Sequence, residues 1–242
     1  MTPEQEQAIA DLRARNVAPK QIARQLGLRP AEVSAVIKAQ AEQVTAQRMA
    51  KGELSPVFQC LVNRNCLDAL LPDDLKHDPA LAFDVQADLD PNAGIAVVTV
   101  ARKAGFNRLD VCTYLVDIWC LGVKDVALPR VIDLSTYKDF VDFAYQAFPD
   151  GSQEIPLQLA QAIVLGSVDY AARLGFQPHR DFEQARALLG EWDGQPVLSF
   201  GRDGKPYYMS GPYDDPLKVL RTLRETVGEG NFNYTVGSGD EW

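Results

Sequence analysis

The stretch Pro19–Ile37, PKQIARQLGLRPAEVSAVI, places small, glycine and apolar residues where a helix-turn-helix needs them. With Pro19 as the first position, Ala23 falls where two helices cross closely and only a small side chain fits. Gly27 falls at the tight turn, where a residue able to take positive φ ends the first helix at little cost. Ile22 and Leu26 are four apart, and Val33, Val36 and Ile37 are spaced by three and four, so each helix turns an apolar stripe to the other. Upstream, Pro3–Asn16 carries Ala8, Ile9 and Leu12 at helical spacing, with Thr2 as N-cap, Pro3 as first helical residue, and Glu4 and Glu6 in the first turn. Downstream, Val33, Ile37, Ala41 and Val44 continue the stripe until Gly52 and Pro56 stop it. The prediction is a three-helix domain over residues 1–51 whose extended third helix serves as linker or dimer seam.

This arrangement resembles the homeodomain-like helix-turn-helix of resolvases and of sigma-factor DNA-binding regions. The resemblance implies that the helix opening at Pro30 is a recognition helix, with Arg29, Ala31, Glu32, Ser34, Ala35 and Lys38 turned outward. The DNA-contacting residues it implies are Lys20, Arg24, Arg29, Ser34 and Lys38, and the implied partner is double-stranded DNA. One arginine, one lysine, two alanines and an acid make a weak base-reading face. Glu32 could accept from a cytosine amino group, but an acid in a first helical turn is favoured by the helix dipole alone, and that reading is preferred.

Charge separates the chain into two parts. Residues 1–51 hold eight basic and five acidic groups, a net of +3, while the whole chain carries −9, leaving −12 on residues 52–242. Phosphate repels such a body, so nucleic-acid contact is expected only at the head. The body is then expected to dimerise, or to take a small-molecule or protein partner, and a homodimer would present two heads at adjacent half-sites. With 46% hydrophobic and 24% charged residues, 242 residues suffice for a small and a larger domain. The chain shows neither an N-terminal apolar signal region nor an apolar run near the roughly 20 residues of a membrane helix, so the expected setting is cytoplasmic, with no membrane partner. Cys60, Cys66, Cys112 and Cys120 stand in mostly apolar surroundings and read as buried thiols.

Residues 52–94 read as a linker and irregular segment, with LPDD at 71–74, the DPNAG turn at 90–94, and short strands near Val57–Val62 and Ala82–Val85. Residues 95–242 read as the larger domain. Ile95–Ala101 and Arg108–Trp119 are β-branched runs joined by a turn containing Gly105, a hairpin at the centre of a sheet. Helices are predicted from Asp133–Ser135 to about Ala147, over Pro156–Leu174, over Phe182–Leu189 and, capped by Asp214 or Asp215, over Pro216–Thr226. Val197–Phe200 and Tyr207–Ser210 flank RDGK, which suits a type I′ hairpin, and a last strand fits Asn231–Val236. The fold class is therefore α+β: a three-helix unit followed by a domain with a mainly antiparallel sheet and clustered helices.

The segments YLVDIWCLGVKD (114–125), GSVDYAARLGFQPHRDF (166–182), FGRDGKPYYMSGPYDD and VGEGNF resemble a recurring bacterial protein family in which a helix-turn-helix precedes such a body. The resemblance transfers no catalytic residue. The candidates for catalysis are Asp117, Lys124 and Asp125 after a buried strand, with His179 and Asp181 after a helix end. Packing is the preferred reading for Cys120, a helix-flanking polar role for His179, and a structural partner such as Lys124 or a backbone donor for Asp117. The cysteine spacings differ from zinc knuckles, and Gly201–Gly204 lacks the spacing of a phosphate loop, so no metal or cofactor is expected. Tyr207, Tyr208, Tyr213, Phe232 and Tyr234 could stack bases on a shared face, but their alternation assigns half of them to the core. A DNA-binding regulator is the preferred reading. The alternatives are an adaptor or RNA-associated protein using the head for interaction, and an enzyme with the head as targeting arm.

Overall fold

The computed structural model describes residues 1–15, 17–51, 53–70 and 94–236. The Ala82–Val85 strand, the LPDD turn and residues 90–93 of the DPNAG turn lie outside the described residues. The chain is α+β: three N-terminal helices, then a five-stranded antiparallel sheet with further helices.

The head consists of α1 (Pro3–Ala14), α2 (Pro19–Leu26) and α3 (Pro30–Ala50). Thr2 caps α1 in a capping box with Gln5, and Pro3 opens it. Gly27 ends α2 in the left-handed region at φ 65°, as the turn chemistry requires. Ile9, Ile22, Ala23, Val33 and Ile37 are buried together, so the stripes read from the sequence do meet. An aromatic ring from the body, Phe106, packs on the same cluster.

The body's sheet runs in the order β4-β3-β2-β1-β5, every neighbour antiparallel, formed by β1 (Val57–Asn63), β2 (Ile95–Gly105), β3 (Arg108–Asp117), β4 (Gly122–Asp133) and β5 (Ser152–Glu154). The continuous apolar run of β2 follows from burial on both faces. Ala96, Val98 and Val100 join the main core under α6 (Leu157–Arg173) and α7 (Phe182–Leu189), while Val97 and Ala101 face Tyr145 and Tyr137 of α5 (Tyr137–Tyr145). Each such valine contributes roughly 1.5–3 kcal/mol by leaving water. Strand β1 forms at the short strand expected near Val57–Val62, and the short helix α4 (Leu67–Leu70) follows it within the stretch otherwise read as irregular.

Strand β4 is absent from the sequence reading. Its polar and charged residues Lys124, Asp125, Arg130 and Asp133 give it no apolar alternation, and it lies at the sheet edge, where half its side chains meet water. It carries two bulges. One extra residue falls between Val123 and Asp125, and another between Ala127 and Arg130, where Pro129 sits. Just before β4's second residue, Gly122 takes φ +69°, and a Cβ there would lie 2.7 Å from Ala171 Cβ and 2.8 Å from the Ser167 carbonyl oxygen. Gly122→Ala is therefore expected to cost about 2–5 kcal/mol, the sum of left-handed strain and overpacking, read as a lowered midpoint of denaturation. A midpoint within error of the parent would refute the close approach.

The predicted hairpin between Val197–Phe200 and Tyr207–Ser210 is corrected. Its turn is right: Asp203 and Gly204 both take positive φ, and Arg202 bridges to Lys205. Its strands are not. Ser199 donates to Leu70 O and Gly201 to Ile118 O, and β6 (Tyr207–Met209) pairs in parallel with β7 (Asn233–Thr235). The backbone groups found better partners across the fold than across the turn. Helix α8 (Pro216–Thr226) is capped by Asp215, whose side chain accepts from the Lys218 N–H, and Leu220 and Leu223 pack with Cys120, Tyr208 and Phe232.

Candidate functional site

The head presents its cations to solvent. Lys20 and Arg24, one turn apart on α2, are exposed, as are Arg29 and Lys38, while Ser34 is half-buried. Helix α2 has Ala18 at its N-cap with no side-chain cap, and no acid in its first turn, so Lys20 stands at an uncompensated positive helix end. Phosphate would be stabilised at such a position. On α3, Glu32 accepts from both the backbone N–H and the guanidinium of Arg29, which closes the N-terminus in the manner of a cap. That bond pulls the Glu32 carboxyl below the ordinary range and raises Arg29. Glu32 does lie in the first helical turn, where the dipole favours an acid, and its bond to Arg29 takes up part of that guanidinium's donor capacity. A shallow trough of about 440 Å³ runs beside this face between Met1, Gln5, Leu28, Ala35, Val36 and Ala39.

The five catalytic candidates separate into two groups. Asp117, buried at the end of β3, accepts from the backbone N–H groups of Trp119 and Cys120 through one oxygen, Oδ1, at 3.0 and 2.9 Å. Burial pushes its carboxyl up to about 6, against the pull of the nearby Lys124 charge and of these donors. The Lys124 ammonium itself bonds Asp214, at 2.9 Å. Asp214 also accepts from the Gly211 N–H and the Tyr208 hydroxyl. The bulge before Asp125 re-aims Lys124 toward this partner, which the sequence reading missed because ninety residues separate the two.

The second group is at the surface. His179 lies 3.9 Å from Asp125 through Nε2 and 3.9 Å from Asp181 through Nδ1, and Nδ1 accepts from the Asp181 N–H. These are loose contacts, beyond hydrogen-bond length to either carboxylate. Neither group lines either cleft that borders the head. An acid of raised pKa suits proton transfer, but Asp117 faces backbone donors instead of a cavity.

The four cysteines are buried and free of disulfides. Burial raises the Cys60 thiol to about 11 and Cys112 to about 12, and Cys120 is also raised, so none of these three supplies a thiolate near neutral pH. Among the described residues, no three His, Cys, Asp or Glu side chains are grouped to hold a metal ion, and no helix is long and apolar enough to cross a membrane. Tyr208 and Phe232 are buried and Tyr213 and Tyr234 exposed, as the alternation implied, so the aromatics form no common stacking face.

Two residues that tie the parts together escaped the sequence reading. Phe106, at the tip of the β2–β3 hairpin, packs on the head's core. Its signal was available: a lone phenylalanine in the turn KAGFN has no packing role within the hairpin itself. Arg102, directly after the apolar run of β2, is buried and donates to the carbonyls of Leu188, Leu189 and Ser55. Comparison with protein-family models, with curated proteins and with solved structures finds no match to this chain.

Proposed function

We propose that this chain is a DNA-binding protein, of the transcription-regulator kind, that docks on duplex DNA through its three-helix head and carries an acidic α+β body for partner or ligand. The observation that supports the reading is the joint one of a glycine-turned helix pair with Lys20, Arg24, Arg29 and Lys38 exposed on it, set on a chain otherwise strongly acidic. Phosphate contact supplies the affinity. The Arg29–Glu32 pair and the alanines at 31 and 35 leave little for base readout, so sequence preference rests on DNA shape and on the spacing of two heads.

The test uses the full chain. Double-logarithmic plots of affinity against salt are expected to have a slope of roughly −3 to −4 per head, the value for three or four neutralised phosphates. Lys20→Glu with Arg24→Glu is expected to lower duplex affinity by about tenfold or more per head at moderate salt. A flat salt response, or unchanged affinity in the double variant, would sink the reading. The trough beside α3 favours one second reading, an adaptor whose head takes a peptide or RNA segment there. Ala35→Arg, placed in that trough, separates the two: it strengthens DNA binding under the first reading and abolishes partner capture under the second.

A further inference from the structure

We infer that the cleft between head and body is a binding site for a small amphipathic organic anion, an aromatic or branched carboxylate in class, which contacts both units at once. The cleft is open to solvent and offers about 570 Å³, within the range of sites for small organic ligands. Its floor is apolar, with Ile37 and Val44 of α3 facing Pro56. Two exposed cations line it, Arg13 from the head and Lys103 from the body, and among the described residues no aspartate or glutamate does. Gln43 and Gln47 add carboxamide donors from α3. An apolar body on this floor, with its carboxylate held between Arg13 and Lys103, satisfies the lining.

A second observation makes the cleft part of a built joint. Lys103 and Gly105 run directly into Phe106, the ring that packs on the head's core, so an occupant lies against the same hairpin tip that holds the head. Binding there would bias the angle between head and body. The regulatory meaning of that bias rests on the head's proposed role in docking DNA; the site itself does not.

The experiment titrates the full chain with anilinonaphthalene sulfonate, an aromatic anion, and with phenylnaphthylamine, the same ring system without the charge. One sulfonate probe per chain is expected, with phenylnaphthylamine bound at least tenfold more weakly. Arg13→Glu with Lys103→Glu is expected to weaken the sulfonate probe at least tenfold and to leave phenylnaphthylamine unchanged. Arg13 also donates to the Val17 carbonyl at the end of α1, so a melt checks that the charge-reversed head stays folded. Lys103→Glu alone, which leaves that bond in place, should weaken the sulfonate probe in the same direction. Ala41→Trp, which fills the floor, should exclude both probes. Equal affinity for the two probes, unchanged sulfonate binding in the charge-reversed variant, or no binding at all would overturn the site. Because no DNA enters the assay, loss of probe binding with DNA binding intact refutes the cleft alone, and the reverse pattern refutes the docking role alone.

Discussion

Asp117→Asn is expected to leave the protein at least as stable as the parent at pH 7.5 and to remove a pH dependence that the parent shows between about pH 4 and 7. The carboxyl of Asp117 is raised in the folded state from 3.8 to about 6. Below pH 3.8 both folded and unfolded chains hold the proton, and the stabilising contribution is fully present. Between the two values only the folded chain holds it, so stability falls as pH rises, and above about 6 the contribution is gone. A shift of this size corresponds to about 3 kcal/mol. Asparagine retains an oxygen at the Oδ1 position, which receives both backbone bonds, and has no charge to bury. Asp117→Ala removes the acceptor and strands two N–H groups, so it should lie about 2–4 kcal/mol below the asparagine variant at every pH. The measurement is urea denaturation at pH 4.5, 6 and 7.5. Parallel pH profiles for parent and Asp117→Asn would show that the carboxyl titrates in its ordinary range. Equal stability of the alanine and asparagine variants would show that the backbone bonds contribute nothing.

Arg102→Ala is expected to cost about 3–5 kcal/mol. Arg102 is 6% exposed, and its guanidinium bonds to carbonyls: it donates through Nε to Leu188 O at 2.6 Å, through Nη1 to Ser55 O at 2.7 Å, and through Nη2 to Leu189 O at 3.3 Å. Burial lowers its pKa, yet the negative end of α7 and the planar fork of five donors hold the charge in place. Gln161 supports the same corner by donating to Leu189 O and Glu191 O. Arg102→Lys cannot span three carbonyls from one ammonium, and Arg102→Met keeps bulk while leaving them unbonded, so both should also lose about 1–3 kcal/mol. In a domain of this size a loss of 4 kcal/mol lowers Tm by roughly 8–16 °C. Since Ser55 lies on the segment that leaves the head, faster hydrogen exchange is expected around β1 as well as α7. A methionine variant with the parent's Tm would refute the carbonyl anchor.

Legibility in the sequence followed the range of the interaction. Gly27, Thr2, Asp203–Gly204 and the caps of α8 act within four residues, and the structure has each where local chemistry puts it. The two strands around Gly105 declared themselves because burial on both faces leaves an unbroken β-branched run. Strand β4 did not, because an edge strand with a proline and two bulges shows neither run nor alternation. The partner of Tyr207–Met209 was equally invisible: a parallel pair carries no turn to announce it. The candidate site divides in the same way. The helix pair and its cations could be read locally, whereas the Lys124–Asp214 bond, the Arg102 anchor and the Phe106 contact each join residues far apart in the chain. Of the catalytic candidates, Asp117 was rightly flagged as needing a partner, and the backbone supplied it.

The proline-bearing bulge of β4 bears on how copies of this chain can assemble. A twelve-residue border strand with Leu128 and Val131 exposed would otherwise be a template on which a second sheet could grow. Pro129 offers no N–H to a newcomer, and the extra residue breaks the spacing that a continuing ladder requires. At the opposite border β5 is only three residues long, too short to seed growth. Among the described residues neither border of this sheet favours extension, so a homodimer is expected to meet through helical or head surfaces. Its two heads would then be spaced by side-chain packing, which a few substitutions can retune, instead of by the fixed rise of a shared β-ladder.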